Sequence, residues 1–265
     1  MCARSDLGQV EGPTLSVEKD RAGHYAVFTI SRPHVRNALS VQWWDEFTSA
    51  VEEFNADAEM RAGILTGAGS VFCAGRDLKE LASFGHEERR LSAPSSEQRA
   101  LCSSSPKPFI CAVNGMAIGA GVERALDCDI RLACDNATFR LPEPRWGMVA
   151  ATAVHLLPRV VGMGNALFLL LTGEEVDAQS ALRMGLVQEV VSDEELLPRA
   201  KELARSVAKL DPGSVAASKE VAHLARLRES QEAIRRLREI TSARADLSTL
   251  GAAAFVAKQD PDWGT

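Results

Sequence analysis

Residues 24–31 read HYAVFTIS, a run of aromatic and β-branched types that predicts a strand, closed by Arg32-Pro33. The period then changes. Val41, Trp44, Phe47, Val51 and Phe54 recur three or four apart, which is one face of a helix, and Ser40 stands where it can cap that helix. Residues 62–66 predict a short apolar strand and 67–70, Gly-Ala-Gly-Ser, a loop. VFCAGRDL (71–78) reads as a strand end, a glycine turn and a helix start. Between 82 and 106 the text turns polar and loses its period, which predicts a mobile segment or an irregular helix. PFICAV (108–113) is apolar without alternation, as in a strand buried on both faces. Asn114-Gly115 and Gly119-Ala120-Gly121 then lead into a helix near 121–127. Strands over 129–133 and 137–141, a helix over 151–161, further helices from 164, a strand over 186–191 and an amphipathic helix over 194–210 follow. From 214 to about 258 the text reads as helix, with Ile234, Leu237 and Ile240 on one face. Alternating strands and helices imply an α/β core with a helical C-terminal piece, without repeat or linker.

Composition narrows the function. A chain of 265 residues buries roughly three quarters of its unfolded surface and needs no staples. Its hydrophobic share of 46% and charged share of 25% exclude a disordered or fibrous chain. A net charge of −6 leaves no basic excess to track a polyphosphate, so nucleic acid is not an expected partner. An anionic small molecule remains open, because a few local amides suffice to bind one. The first fifteen residues lack the apolar run of a signal peptide, and Arg131 and Arg159 interrupt the most apolar regions, so no membrane segment is expected. The six cysteines, at 2, 73, 102, 111, 128 and 134, show no C-x-x-C spacing and read as reduced, buried thiols. A cytoplasmic location is the resulting expectation.

Several familiar chemistries are missing. His86-Glu87-Glu88-Arg89-Arg90 lacks the second histidine of a zinc motif, Arg124 occupies the third glycine position of a dinucleotide fingerprint, and there is no phosphate-binding loop or G-x-S-x-G elbow. No metal is expected. What stands out is one design used twice. At Ala74-Gly75-Arg76-Asp77 and at Gly119-Ala120-Gly121, an apolar strand meets a glycine turn that opens a helix. Glycine admits close backbone approach, and a helix start carries unpaired N–H groups, so two such amides converging would bind an oxyanion. Two ordinary strand-to-helix turns explain the same letters. Glu123 follows the second turn, where it could equally serve the helix dipole. Glu143 sits between Pro142 and Pro144, fixed in direction or simply a loop charge. Brought together, the two carboxyls could hold a water between them.

The segments SRPHVRNALS (31–40), VFCAGRDLKEL (71–81), KPFICAVNGMAIGAGVERALDCDIRLA (107–133), ATFRLPEPRWGM (137–148), LTGEEVDAQSALRMGLVQEVV (171–191) and AFVAKQDPDW (254–263) resemble, in order, the enoyl-CoA hydratase/isomerase (crotonase) superfamily over residues 24 to 263. The resemblance implies a crotonase-like α/β spiral of ββα units: a flexible tail over 1–14, the spiral core over 15–200 and a C-terminal helical region over 201–265 that packs against neighbours in a homotrimer or dimer of trimers. It implies an acyl-CoA substrate, with coenzyme A part of that substrate and no other cofactor. The backbone N–H groups of Arg76 and Ala120 would polarise the thioester, Ala120 standing where glycine is usual. Ala74, Gly75, Asp77, Leu78, Gly119 and Trp146 would line the substrate. The Arg76 side chain would reach toward the CoA phosphates or into solvent, and Lys107 and Lys258 would help hold the nucleotide end.

Hydratases of the family carry two glutamates about twenty residues apart, and Glu123 and Glu143 match them. The implied reaction is reversible addition of water to a 2-enoyl-CoA, Glu123 activating the water and Glu143 supplying the α-carbon proton. One departure is the run Gly147-Met148-Val149-Ala150-Ala151-Thr152, a residue short of the usual glycine-rich turn, where alanines would narrow the site or weaken hydration. Alternatives are another crotonase-type reaction (a carnitinyl-CoA-type dehydratase or an enoyl-CoA isomerase) and a weakly catalytic acyl-CoA-binding homologue.

Overall fold

The computed structural model describes residues 12–223, 235, 239 and 245–259. Its strands alternate between two sheets. β1 (Leu15–Asp20) and β2 (Tyr25–Ile30) pair antiparallel at one edge of the larger sheet. β3 (Ala62–Gly67), β5 (Phe109–Val113), β7 (Ile130–Cys134) and β10 (Glu189–Val191) extend it in parallel, in the order β1-β2-β3-β5-β7-β10. β4 (Val71–Cys73), β6 (Met116–Ile118) and β8 (Thr138–Arg140) lie parallel in the second sheet, which β9 (Val176–Asp177) closes. A strand in one sheet, a strand in the other and then a helix is the unit, and it starts three times, at β3, β5 and β7. Each turn advances one strand in both sheets, so the chain winds as the expected spiral of ββα units.

β3 and β5 are buried at every position, which explains their unbroken apolar text. α1 (Val41–Ala56) forms where its period predicts. Ser40 Oγ accepts from the Trp43 N–H, and Phe47 and Phe54 meet Phe28 of β2 edge-on, with centroids 6.0 and 5.5 Å away. β1 has no counterpart in the sequence reading, because an edge strand buried only at Leu15 shows no apolar alternation. Thr14, which the domain division leaves in the tail, is buried, and its N–H and Oγ1 donate to Glu46 Oε2 at 2.8 and 2.7 Å. The five described cysteines are free and buried.

The segment without period folds as four short helices: α2 (Leu78–Ser83), α3 (His86–Ser92), α4 (Ser96–Arg99) and α5 (Leu101–Ser104). Their support is long-range. From α6 (Ala120–Asp127), Asp127 accepts from the Cys102 N–H at 2.8 Å and the Ser103 hydroxyl at 2.6 Å, while Arg124 donates to the Arg99 carbonyl. α7 (Ala153–Thr172) corrects the view that no apolar stretch approaches membrane-spanning length: by length and composition it does. Gly162, at φ 77° and ψ 157°, breaks the helix, so each half is shorter than the ~20 residues a crossing needs.

Beyond α8 (Ala178–Met184) and α9 (Asp193–Ala208), a helix over 212–223, α10, is tied to the start of β7. Lys219 Nζ stands 2.7 Å from one oxygen of Asp129, and His223 Nε2 2.8 Å from the other. Ile234, Leu237 and Ile240 lie outside the described residues. The last helix, α11 (Ala245–Ala257), packs on the chain's own α2 and on the turn that carries Glu143. Gly251 makes this possible, since a Cβ there would overlap the Trp146 carbonyl.

Candidate active site

The first glycine turn is framed from outside. Leu39 pairs with Arg76 as a parallel bridge: the Leu39 N–H donates to the Gly75 carbonyl at 2.8 Å, and the Asp77 N–H donates to the Leu39 carbonyl at 3.0 Å. In a parallel bridge the middle residue points its own N–H the other way, so the Arg76 amide faces away from Leu39. Asn37 fixes the frame, because its Nδ2 donates to the Ala68 and Val71 carbonyls at 2.9 and 2.6 Å. Gly75, at φ 92°, turns the chain toward the second site: a Cβ added there would lie 2.7 Å from the Ile118 carbonyl oxygen and 3.5 Å from Ala120 N. The two turns are therefore in contact. Ala120 opens α6, and its N–H is one of the orphan donors of a helix start. Among the described residues, neither the Arg76 nor the Ala120 N–H donates to a protein acceptor.

Glu123 stands one helical turn further along α6 and is 4% exposed. Its Oε1 accepts from the Thr152 N–H at 2.6 Å and the Ala153 N–H at 3.2 Å, the first amides of α7. The short 147–152 run thus still presents two donors to Glu123, and backbone amides do this without glycine. Oε2 is left on the other side, with Arg99 Nη1 3.7 Å away.

Glu143 opens a 3-10 turn, Glu143–Trp146, directly after β8. It is 9% exposed, and Oε1 lies 2.9 Å from where a Cβ on Gly119 would stand, so the glycine at φ 54° makes room for this carboxyl. Oε2 is buried with no hydrogen-bond partner among the described residues, as is Thr152 Oγ1. Burial, and then the Glu123 charge, push the Glu143 carboxyl up to about 8. At neutral pH it therefore keeps its proton and can donate it.

The other expected lining residues divide. Ala74, Gly75 and Gly119 belong to the two turns, and Leu78 opens α2 just after the first. Asp77 caps α2, accepting from the Lys79 and Glu80 N–H groups, and pairs with Arg32 Nη1 at 3.0 Å, so its carboxylate serves the fold. Trp146 meets Phe255 of α11 edge-on at 5.2 Å. The Arg76 side chain is half-buried: Nη2 donates to Ser92 Oγ at 2.9 Å, and burial, followed by the Arg99 charge, pulls it down to about 10. Lys107 caps the end of α1, donating to the Phe54 and Asp57 carbonyls at 2.6 and 2.7 Å, and is not available to a nucleotide. Lys258 is exposed. Sequence reasoning missed the Thr152 and Ala153 amides, the Leu39 bridge and Arg99. The start of α7 was a visible signal for the first pair, but nothing local marks its partner 29 residues back.

Comparison with known proteins places the chain in a family. The family model for enoyl-CoA hydratase/isomerase matches residues 21–265. A short-chain-enoyl-CoA hydratase of Clostridium acetobutylicum is 39% identical, over 76% of this chain and 78% of its own. The crystal structure of an enoyl-CoA hydratase/isomerase from Pseudoalteromonas atlantica superposes with a TM-score of 0.84 at 32% identity, covering 95% of this chain and 100% of that one. An enoyl-CoA hydratase from Bacillus anthracis does so with a TM-score of 0.77 at 32% identity, covering 95% and 99%. With two glutamates around a pair of free amides, and a match along nearly its whole length, the chain belongs to the enoyl-CoA hydratase/isomerase family.

Proposed function

We propose that this site adds water reversibly to 2-enoyl-CoA thioesters. What carries the reading is the division between the two glutamates: one anchored on amides through Oε1 with Oε2 left over, the other buried, coupled to the first and pushed up to about 8. The thioester oxygen accepts from the Arg76 and Ala120 N–H groups, where charge develops as the enolate forms. Glu123 Oε2 takes a proton from the attacking water, which adds to the β-carbon. Glu143, next to Gly119 and so nearer the carbonyl, gives its proton to the α-carbon. Each step uses a group of this chain, and coenzyme A arrives with the substrate. Adding the protein to crotonyl-CoA should bleach the ultraviolet absorbance of the conjugated thioester. A protein that binds butyryl-CoA yet never bleaches an enoyl thioester would be a carrier instead.

The active form is a homotrimer or a dimer of trimers. Support comes from the second half of α7, where Met163, Leu167, Phe168 and Leu171 share a face and stand exposed, Met163 at 61% and Leu171 at 71%. An apolar face of this kind is usually covered in solution. Phe168→Glu with Leu171→Glu should reduce the sedimenting mass to that of a monomer. A wild-type protein that already sediments as a 28.6 kDa species would remove this part of the reading.

A further inference from the structure

Hydration as proposed leaves one conspicuous group without a task. Arg99 ends α4 with Nη1 3.7 Å from Glu123 Oε2, the oxygen that takes no α7 amide and that the proposed hydration uses as its base. At that separation it is not hydrogen-bonded to Glu123. Its Nε donates to the Pro94 carbonyl at 3.3 Å, and among the described residues its Nη groups make no hydrogen bond. Its backbone is not free to drift, because Arg124, from the helix that bears Glu123, donates to the Arg99 carbonyl. Two more guanidinium groups stand behind it. Arg76 reaches to Ser92 Oγ, and Arg89 donates through Nε to the Phe84 carbonyl at 2.9 Å while its Nη1 is buried with no acceptor among the described residues. The three charges are close enough that Arg99 and Arg89 both act on Arg76. Facing them are Glu123 and Glu80, the latter accepting from the Val41 N–H at 3.1 Å.

A hydrocarbon tail would set these half-buried donors against methylene groups and cover the buried Arg89 Nη1 without an acceptor, which is costly. A carboxylate matches them, since a guanidinium fork presents parallel N–H groups to its two oxygens. The position follows from the reacting atoms. The amides of Arg76 and Ala120 take the thioester oxygen, Glu143 meets the α-carbon and Glu123 the β-carbon, so Arg99 lies just past the β-carbon. Resting on the hydratase reading above, we propose that the natural substrates are 2-enoyl-CoA thioesters whose acyl chain ends in a carboxylate one or two carbons beyond the β-carbon, with Arg99 as its contact and Arg76 and Arg89 supplying the surrounding positive field.

Two pairs of ligands test this. In hydration, glutaconyl-CoA (five acyl carbons, terminal carboxylate) is compared with crotonyl-CoA (four carbons, uncharged). In binding, calorimetry compares their saturated, unreactive counterparts, glutaryl-CoA and butyryl-CoA. The wild type should favour the carboxylated member about tenfold or more in both assays, the order expected of a charge-assisted hydrogen bond. Arg99→Met should abolish that roughly tenfold kcat/KM preference, bringing the ratio to about one, whatever happens to the common rate, and Arg99→Lys should restore part of it. Arg89→Met should weaken the same preference less. A wild type that hydrates crotonyl-CoA as well as glutaconyl-CoA overturns the inference and keeps the hydratase. A protein that hydrates neither, yet binds glutaryl-CoA over butyryl-CoA in an Arg99-dependent way, overturns the hydratase and keeps the carboxylate site. A preference that survives Arg99→Met and Arg89→Met overturns the assignment of these residues.

Discussion

Glu143→Gln will slow hydration of a short 2-enoyl-CoA by about 10²–10⁴-fold while acyl-CoA binding persists. The amide fills the same space beside Gly119 but has no acidic proton to give. Stopped-flow bleaching of crotonyl-CoA, with butyryl-CoA affinity as the control, measures both quantities. The same residue sets the pH response. Its carboxyl is pushed up to about 8 by burial and then by the Glu123 charge. Hydration needs the protonated form, so kcat/KM for hydration should fall above about pH 8. Dehydration, running the same step backward, needs the carboxylate and should rise over that range. Stability moves in the same direction as hydration. Between its ordinary pH range and about 8, the folded chain holds a proton that the unfolded chain has released, so this group's contribution is full at low pH and is lost as pH rises through about 8. Glu143→Gln removes that slope. A variant that hydrates crotonyl-CoA within tenfold of wild type would mean that the α-carbon proton comes from elsewhere.

What the text discloses and what it hides divide along the range of the interaction. α1 is legible because Trp44, Phe47, Val51 and Phe54 meet the core with the period of the helix itself. β5 is legible because both of its faces are buried. The glycine turns are legible because Gly75 at φ 92° and Gly119 at φ 54°, ψ −116° hold backbone that other residues rarely adopt, and the family resemblance is what placed the two amides on them. β1 is hidden by its exposure. The α2–α5 segment is hidden because its order comes from Arg124 and Asp127, and no local pattern announces a carbonyl that waits for a guanidinium 25 residues away. Glu123 and Glu143 were readable as candidates, but not the asymmetry between them: Glu123 has the α7 amides, whereas Glu143 Oε2 has no hydrogen-bond partner among the described residues. Arg76 shows the limit most plainly. Its letter sits in a solvent-like run, yet the fold half-buries its side chain against Ser92. The fold-back of α11 was equally unreadable, because Gly251 names a close approach without naming Trp146 as what is approached.

Gly75→Ala should cost more activity than any other single methyl added to the described turns, and it separates an oxyanion site from an ordinary connection. Two effects combine. At φ 92° an L side chain is strained by about 1–3 kcal/mol. In addition, the new Cβ would stand 2.7 Å from the Ile118 carbonyl oxygen, so the turn at Arg76 and the turn at Ala120 must move apart. Those turns carry the two amides, and displacing one donor is worth about 10²–10³ in kcat. Gly69→Ala is the matched control. Its φ of 73° imposes similar strain, but nothing lies within 4 Å of the added Cβ. The control should lose melting temperature and keep its turnover, whereas Gly75→Ala should lose both. Measuring kcat well below each variant's melting temperature separates the two contributions, and butyryl-CoA binding reports whether the pocket survives. If Gly75→Ala turns over like Gly69→Ala, the contact between the two turns is only packing, and the thioester oxygen is stabilised by some other group.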